Sequence, residues 1–427
     1  MKITIIPTAV NGALHAPASK SSMQRACAAA LLHAGVTHIS NAGSSNDDKA
    51  ALNIIKSLGA KLEITGDILT VTSKGIFNNE LPASQTIHCG ESGLAIRMFA
   101  PIAALSPSEI LLTGEGSLLK RPMHFFDEIF PALGVSIQSF DGMLPLLIKG
   151  PLIPANISID GSASSQYLTG LLFAFGAACR EETVITVNGL KSKPYINLSL
   201  DVMRHFGYDI AHHQHREFFI RPKKEIETTI SYRVEGDWSS ASFLLVAGAI
   251  AGGINITGLN TSSSQADKAI MGVLKECGAM VNIYNDNIEI KKAALSAFHF
   301  DATDCPDLFP PLVALAAYCG GVSVIKGVSR LANKESDRAK TLQDVFGKMG
   351  VKIIVGQDEM MIHGGGTVHG ALVSSHHDHR IAMAAAVAGL AATGEMIIED
   401  AEAVNKSYPG FFEDLEKITV STYSCEH

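Results

Sequence analysis

The sequence predicts an α/β protein made of six copies of one supersecondary repeat. Six apolar helical segments, each opening with a small or polar residue, recur at intervals of 68 to 75 residues in a chain of 427. An amphipathic helix follows a strand in each repeat, and five of these helices end at a glycine before another strand. Recurrence at a fixed period indicates a repeat architecture. The apolar segments start near Ser21, Ser92, Ser164, Ser239, Asp307 and His379.

The stretch from Thr183 onward illustrates the repeat. A β-branched strand runs to Val187, and a turn at Gly189 leads to a helix with one apolar stripe. Gly207 then occupies the position of a helix cap. The other helix class is apolar on every side, which indicates burial inside a domain. The equivalent glycines are Gly59, Gly134, Gly207, Gly278 and Gly350.

Six repeats in a chain of this length predict two domains of three repeats each, with buried central helices. A linear solenoid is the alternative. We favour closed domains because a fully apolar helix in every copy requires cover on all sides.

Composition limits the function classes. A hydrophobic content of 47% with 18% charged residues is typical of a globular protein and argues against disorder. The net charge of −8 argues against a nucleic-acid-binding protein. Seven scattered cysteines indicate a reducing compartment. The amino terminus reads as a strand rather than a signal peptide, and no apolar run reaches the roughly 18 residues of a spanning helix. We therefore expect a cytoplasmic protein that binds neither nucleic acid nor membrane.

Although the chain is acidic overall, it places cations near the starts of helices, beside glycine, serine or proline. Helix amino termini bind phosphate and carboxylate groups, although ordinary capping explains any single one of them. Together, the cations predict a polyanion site assembled between the domains. They are Lys20, Arg25, Arg97, Arg121, Lys334, Arg338, Arg380 and Lys406.

Two acidic residues accompany these cations. Asp307 opens the fifth apolar helix, and Glu335 follows Lys334. A carboxylate among cations stays ionised and can accept a proton. The alternative interpretations are a helix N-cap for Asp307 and a surface ion pair for Glu335.

Ten short stretches, in order over nearly the full length, resemble those of the 5-enolpyruvylshikimate-3-phosphate (EPSP) synthases, which are enolpyruvyl transferases. The stretches are SKSSMQRA, GESGLAIRM, TGEGSLLKRPM, DGSASSQYLTGLL, SKPYI, VEGDWSSASF, DCPDLFPPLVALAA, KESDR, DHRIAMA and NKSYPGFF.

The resemblance implies two domains, each of three βαβαββ repeats, with the active site in the cleft between them. Residues 14–232 would form the first domain, which binds shikimate 3-phosphate. Residues 1–13 and 233–427 would form the second domain, which binds phosphoenolpyruvate. The two domains would close over the substrates and exclude water.

The family's binding residues transfer by motif. For shikimate 3-phosphate, the resemblance implies Lys20, Ser21, Arg25, Ser164, Ser165, Gln166, Ser192, Asp307 and Lys334. For phosphoenolpyruvate, it implies Lys20, Gly93, Arg97, Arg121, Gln166, Arg338, Arg380 and Lys406.

The resemblance also implies the chemistry, in which the enolpyruvyl group moves to the 5-hydroxyl of shikimate 3-phosphate through a tetrahedral adduct, on the route to chorismate and the aromatic amino acids. Asp307 would accept the hydroxyl proton, and either Glu335 or Lys20 would deliver a proton to carbon. No metal or organic cofactor is required, and we expect a monomer. Because Gly93 keeps the family's small residue, we also expect glyphosate sensitivity.

The chain departs from the family pattern in three places. Glu91 and Leu94 replace an asparagine and a threonine, which bears on phosphoenolpyruvate affinity. Arg330 replaces an asparagine, so that substrate contact is not transferred. Ala18 replaces a glycine, which is a minor change.

Three alternatives have distinguishing features. The histidine clusters 212–215 and 376–379 suggest metal ligands, but adjacent histidines on a strand point to opposite faces and lack a Cys or Glu partner at ligand spacing. UDP-N-acetylglucosamine enolpyruvyl transferases share the fold but typically carry a cysteine loop where this chain has TGEGSLLKRPM. A non-enzymatic polyanion-binding protein would explain the cations but not Asp307 and Glu335.

Overall fold

The computed structural model describes residues 1–224, 227–284, 286–332, 334–419 and 424–426, and the chain divides into two compact units. Unit 1 consists of Met1–Pro17 and Glu235–His427, and unit 2 consists of Ala18–Val234. The expected boundary after residue 13 falls inside a strand, Val10–His15. This strand pairs with Gly252–Thr257 of unit 1, so the chain enters unit 2 only after Pro17.

The helices alternate between the two classes that the sequence predicts. Odd-numbered helices are buried on almost every residue, whereas even-numbered helices bury one face. In order, they are α1 (Lys20–Leu32), α2 (Asn46–Ser57), α3 (Gly93–Ala103), α4 (His124–Ile129), α5 (Ser165–Ala178), α6 (Lys193–His205), α7 (Trp238–Ala251), α8 (Ile270–Glu276), α9 (Phe309–Ala317), α10 (Arg338–Lys348), α11 (His379–Gly389) and α12 (Phe411–Ile418). The 3₁₀ helices are Gly116–Lys120, Pro131–Leu133, Ala266–Ala269, Pro306–Leu308, Val328–Arg330 and Ala401–Lys406.

The strands form six four-stranded sheets with one shared topology. In each sheet an edge strand lies parallel to its neighbour, and two antiparallel strands complete the sheet. In spatial order, the sheets of unit 2 are Thr229–Arg233, Ala34–Ser40, Ile68–Lys74 and Lys61–Thr65; Ser84–His88, Glu109–Thr113, Met143–Lys149 and Ser136–Phe140; and Ile157–Asp160, Thr183–Asn188, Glu217–Arg221 and Asp209–His213.

The three sheets of unit 1 repeat this arrangement. They are Val10–His15, Gly252–Thr257, Asn287–Lys291 and Met280–Tyr284; His299–Asp301, Gly321–Lys326, Glu359–Gly364 and Lys352–Val355; and Leu372–Ser374, Met396–Glu399, Lys2–Ile5 and Ser424–Glu426. The chain order within a repeat is strand, buried helix, strand, amphipathic helix and two strands. This confirms the predicted α/β class and the repeat.

The chain start completes the sixth repeat. The sequence runs out soon after α12, but Lys2–Ile5 pairs antiparallel with Met396–Glu399, and Lys2 lies opposite Glu399. Ser424–Glu426 pairs with the other edge of the same amino-terminal strand. Two distant parts of the sequence therefore share one sheet in unit 1.

The predicted glycine caps all adopt the left-handed conformation that ends a helix. Their φ values range from +77° to +97°, a region that glycine occupies without the steric cost of a Cβ. The helix before Gly134 differs from the others because it ends in a short 3₁₀ turn that begins at Pro131.

The central helices of each unit pack on one another, which brings their amino-terminal turns together. In unit 2, α3 and α5 approach so closely that a Cβ on Gly170 would lie 2.5 Å from the Arg97 carbonyl oxygen. Glycine permits this approach because it has no side chain. Large buried residues such as Phe99 and Phe173 fill the remaining space, and burial of each stabilises the fold by about 2–3 kcal/mol.

The structure also bears on the expectations about membrane-spanning helices and cysteines. Among the described residues, no helix is both long and apolar enough to cross a bilayer. Six cysteines are free and buried, while the side chain of Cys425 lies outside the described residues.

Candidate active site

Side chains cap five of the six central helices. Those of Ser19, Ser92, Ser164, Asp237 and Asp378 each accept a hydrogen bond from a backbone N–H of the first turn. Helix α9 has no such cap. Asp307 lies in the 3₁₀ turn Pro306–Leu308 before α9, so the N-cap interpretation of Asp307 is wrong.

The Asp307 carboxylate instead contacts three cations. Its oxygens lie 3.2 Å from Nζ of Lys334, 2.7 Å from Nη1 of Arg338 and 3.2 Å from Nη2 of Arg380. Burial opposes the ionisation of Asp307, but Arg380, Lys334 and Arg338 together outweigh this effect and hold its pKa well below the usual value. The carboxylate is therefore ionised at neutral pH.

Arg338 is the centre of this cluster. Its side chain is 1% exposed and donates to Asp307, to Glu335 at 2.6 Å and to Asp378 at 2.8 and 3.3 Å. Burial opposes the charge on Arg338, but the three carboxylates raise its pKa above the ordinary value. Glu335 is only 10% exposed in its side chain, so the interpretation as a surface ion pair is wrong.

Asp378 joins two of the helices that carry these cations. It caps α11 through the Arg380 N–H at 3.0 Å, and it also accepts from the Ser336 hydroxyl at 3.1 Å and from Arg338. This aspartate belongs to the DHR motif, but it is not among the predicted site residues. The signal was available, because an Asp directly before an apolar helix is a strong N-cap candidate.

Two further cations of unit 1 lie near these elements. Lys406 is buried at the end of the 3₁₀ helix Ala401–Lys406, which packs against α11. Arg330 ends the 3₁₀ helix Val328–Arg330. Burial lowers the pKa of Arg330, whereas Asp304 and Asp307 raise it in part. Arg330, which stands where the family has an asparagine, therefore interacts electrostatically with Asp307.

In unit 2, Lys20 is the first residue of α1 and pairs with Asp47. Its Nζ lies 2.9 Å from an Asp47 oxygen, and the side chains are 16% and 5% exposed. Asp47 lies in the first turn of α2, which Ser45 and Asp48 close with a capping box. Asp47 is not among the predicted site residues, although the Ser-Asn-Asp-Asp run is a typical helix start.

Arg25 is held between α1 and α6. Its Nε donates to the Ser199 hydroxyl at 2.8 Å, and its other nitrogens donate to the carbonyl oxygens of Ser21 at 2.8 Å and Tyr195 at 3.2 Å. Burial lowers the pKa of Arg25 to about 10, so the guanidinium remains charged at neutral pH. Ser192, which is buried, precedes α6 with a φ of 55°.

Four predicted binding residues come together where α3 and α5 begin. Nη1 of Arg97 donates to the Gln166 oxygen at 2.9 Å. Gly93 is the first residue of α3, and a Cβ built on it would lie 2.6 Å from Nη1 of Arg121 and 3.3 Å from Nη1 of Arg97. Two guanidinium groups and a helix amino terminus form an anion-binding arrangement.

The serines predicted beside Gln166 lie at the start of α5. The Ser164 hydroxyl accepts from the Gln166 N–H at 3.3 Å, and Ser165, which is buried, is the first helical residue. Leu94, by contrast, is buried in the apolar core of unit 2, so the methyl groups that replace a hydroxyl there contribute to packing.

The two histidine clusters differ in backbone structure: the expected strand holds for His212 and His213 but is wrong for residues 376–379. His376 and His377 adopt φ values of 52° and 55° in a turn, and His379 is the first residue of α11. His212 and His213 end an exposed strand. Within the described ranges, no group of three His, Cys, Asp or Glu residues could hold a metal ion.

Comparisons with known proteins agree with this architecture. The sequence profile of EPSP synthase (3-phosphoshikimate 1-carboxyvinyltransferase) matches residues 5–415. The 3-phosphoshikimate 1-carboxyvinyltransferase of Clostridium novyi is 36% identical, and the match covers 97% of each chain.

Solved structures give the same result. An EPSP synthase from Acinetobacter baumannii superposes with a TM-score of 0.84 at 27% identity, over 99% of this chain and 100% of the other. The enolpyruvyl transferase NikO from Streptomyces tendae, at 18% identity, shares the fold with a TM-score of 0.79 over 99% and 98% of the two chains. The chain described here therefore belongs to the EPSP synthase family.

Proposed function

We propose that this chain transfers the enolpyruvyl group of phosphoenolpyruvate to the 5-hydroxyl of shikimate 3-phosphate and releases inorganic phosphate. The observation that carries the proposal is Asp307, an ionised carboxylate held by Lys334, Arg338 and Arg380. A polyanion site requires the cations but has no use for a central carboxylate, whereas proton transfer requires one.

Phosphoenolpyruvate carries a phosphate and a carboxylate, and both need charged donors. Arg97, Arg121 and Gln166, together with the start of α3 at Gly93, supply one set of donors in unit 2. Lys20 adds an ammonium group. Arg338, Arg380 and Lys406 supply cations in unit 1.

Shikimate 3-phosphate carries a second phosphate, a second carboxylate and hydroxyl groups. For this substrate we assign Lys20, Ser21 and Arg25 on α1 and Ser192 before α6. Hydroxyls and amides at the start of α5 supply neutral hydrogen bonds. These residues are Ser164, Ser165 and Gln166. We assign Asp307 and Lys334 to the hydroxyl groups of shikimate 3-phosphate.

The reaction needs three proton transfers. Either Glu335 or Lys20 protonates the methylene carbon of phosphoenolpyruvate, and the 5-hydroxyl oxygen attacks the adjacent carbon as Asp307 takes its proton. The tetrahedral adduct then returns one methyl proton to the residue that delivered it and expels phosphate, which carries away the proton held by Asp307, and the enolpyruvyl ether remains. Asp307 is a weak base while three cations surround it, and binding of anionic substrates to those cations raises its proton affinity.

The test is phosphate release from phosphoenolpyruvate in the presence of shikimate 3-phosphate. Asp307→Ala and Lys20→Ala should each lose at least 100-fold in kcat, the usual scale for a general acid or base. Asp344→Ala, which removes an exposed carboxylate on α10, is the matched control and should retain full activity. Retention of activity in Asp307→Ala would overturn the assignment.

We also propose that the enzyme acts as a monomer in the cytoplasm and needs neither a metal nor an organic cofactor. Activity that survives dialysis against a chelator, and a monomer mass in light scattering, would support this. Loss of activity on dialysis, restored by a divalent cation, would contradict it.

A further inference from the structure

Glu91 lies in the turn between the strand Ser84–His88 and α3, where the family commonly has an asparagine. Its side chain is turned toward a second loop. Oε2 of Glu91 accepts hydrogen bonds from the Ser117 N–H at 3.4 Å and from the Ser117 hydroxyl at 3.2 Å. The carboxylate is thus bound to the loop that follows the strand Glu109–Thr113.

The contact with the neighbouring Gly116 is close. Gly116 has a φ of +55°, and a Cβ built there would lie 2.3 Å from both Cδ and Oε1 of Glu91. The carboxylate therefore lies directly against the Gly116 α-carbon. Glycine is required for the left-handed conformation and for the space.

This loop carries Arg121. The 3₁₀ helix Gly116–Lys120 starts at the Glu91 contact, and the Arg121 N–H donates to the Leu118 carbonyl at 3.1 Å. Leu118 is fully buried and anchors the middle of the turn. One backbone bond, from the Glu115 N–H to the Gly90 carbonyl at 3.0 Å, also joins the two loops.

Both ends of the 116–120 turn contact the start of α3. At one end, Gly116 contacts Glu91, which immediately precedes Ser92, the N-cap of α3. At the other end, the Arg121 guanidinium lies against Gly93. We propose that Glu91 is a positioning residue that fixes the 116–120 turn and thereby sets where the Arg121 guanidinium meets the anionic groups of phosphoenolpyruvate. This inference rests on the proposed function of Arg121.

The experiment measures KM for each substrate by phosphate release. Glu91→Ala should raise KM for phosphoenolpyruvate about fivefold to tenfold, the scale of losing one ordinary hydrogen bond. KM for shikimate 3-phosphate should change less than twofold. Glu91→Gln keeps an acceptor oxygen at the same reach, so it should stay within about threefold of the wild-type protein.

Two further variants on the same loop provide a second test and a control. Ser117→Ala removes only the hydroxyl donor and should raise KM for phosphoenolpyruvate in the same direction by a smaller factor. Glu115→Ala removes a carboxylate on the same loop that is 66% exposed, and it should leave both KM values unchanged. Thermal unfolding of each variant shows whether it is folded.

The outcomes separate this inference from the proposed function. A KM for phosphoenolpyruvate more than about threefold lower in Glu91→Gln would mean that the carboxylate opposes the anionic substrate by its charge, which overturns the positioning role. Equal rises of both KM values in Glu91→Ala, or none, would also overturn it. Absence of phosphate release by the wild-type protein would instead refute the proposed function.

Discussion

Arg338 and Asp378 form a buried, two-point ion pair. The Arg338 Nε lies 2.8 Å and its Nη2 3.3 Å from the two Asp378 oxygens, and the side chains are 1% and 0% exposed. The pair fixes the start of α10 to the start of α11. It thereby holds Arg338 and Arg380, which both contact Asp307, in one arrangement.

Removal of Asp378 should destabilise unit 1. Asp378→Ala leaves part of the buried Arg338 charge without its partner and removes the cap of α11, so we expect a loss of about 3 kcal/mol in the free energy of unfolding. Urea titration followed by the fluorescence of Trp238, the only tryptophan and a buried residue of unit 1, measures this. Asp344→Ala, which breaks an exposed pair with Lys348, should cost less than about 1 kcal/mol. Equal losses in both variants would contradict the account.

The Asp307 cluster should make stability sensitive to acid. The folded-state pKa of Asp307 is depressed, so its contribution is fully present above the unfolded value of about 3.9 and is lost as the pH falls toward the folded value. The difference in stability between the wild-type protein and Asp307→Asn should therefore be constant from pH 6 to 8 and should shrink below about pH 4.5. Urea midpoints from Trp238 fluorescence at pH 7 and pH 4 give this difference. A difference that grows in acid would disprove the depressed pKa.

Asp48 should make unit 2 more stable in acid, whereas Asp307 should make unit 1 less stable in acid. Burial raises its pKa to about 6, and hydrogen bonds from Ser45 offset only part of that rise. Ionised Asp48 therefore costs stability: full stability exists below about pH 4, and about 3 kcal/mol is lost as the pH rises through 6. Asp48→Asn, which keeps an acceptor for the capping box, should gain stability relative to the wild-type protein between pH 4.5 and 7.5.

Alkylation of Cys27 under graded urea can report this gain, because Cys27 is fully buried on α1 of unit 2. The urea midpoint of Asp48→Asn should exceed that of the wild-type protein by more at pH 7.5 than at pH 4.5. An equal difference at pH 4.5 and pH 7.5 would show that the pKa of Asp48 is not raised.

Gly93→Ala should weaken phosphoenolpyruvate binding. The new Cβ would lie 2.6 Å from Nη1 of Arg121 and 3.3 Å from Nη1 of Arg97, so Arg121 must move. We expect a rise of about tenfold in KM for phosphoenolpyruvate, which corresponds to the usual cost of overpacking.

In the wild-type protein, glyphosate should compete with phosphoenolpyruvate. Inhibition that is not competitive, or a KM unchanged in Gly93→Ala, would show that Gly93 is remote from the substrate.

The sequence predicts the repeat well because its signals are local. An apolar helix, a glycine at a helix end such as Gly207 and a β-branched strand such as that at Thr183 each follow from short-range pattern. The pairing of Lys2–Ile5 with Met396–Glu399 could not be derived from pattern alone, because nothing local indicates a partner nearly 400 residues away.

The candidate site also combines residues that local sequence pattern predicts with contacts that it does not predict. The cations could be found from their positions at helix starts, but their partners could not. Asp47, Asp378 and Ser199 contact predicted cations through tertiary packing of separate helices. The alternatives for Asp307 and Glu335 stayed open for the same reason, since spacing does not show which side chains will surround a carboxylate.

The most direct test of the central claim is the choice of acceptor. Phosphate release from phosphoenolpyruvate should be measured with shikimate 3-phosphate and, in parallel, with UDP-N-acetylglucosamine. We predict release with shikimate 3-phosphate alone. Release only with UDP-N-acetylglucosamine would contradict the assigned acceptor while leaving the fold and the chemistry intact, and release with neither, by a protein that still binds phosphoenolpyruvate, would indicate a binding protein instead of an enzyme.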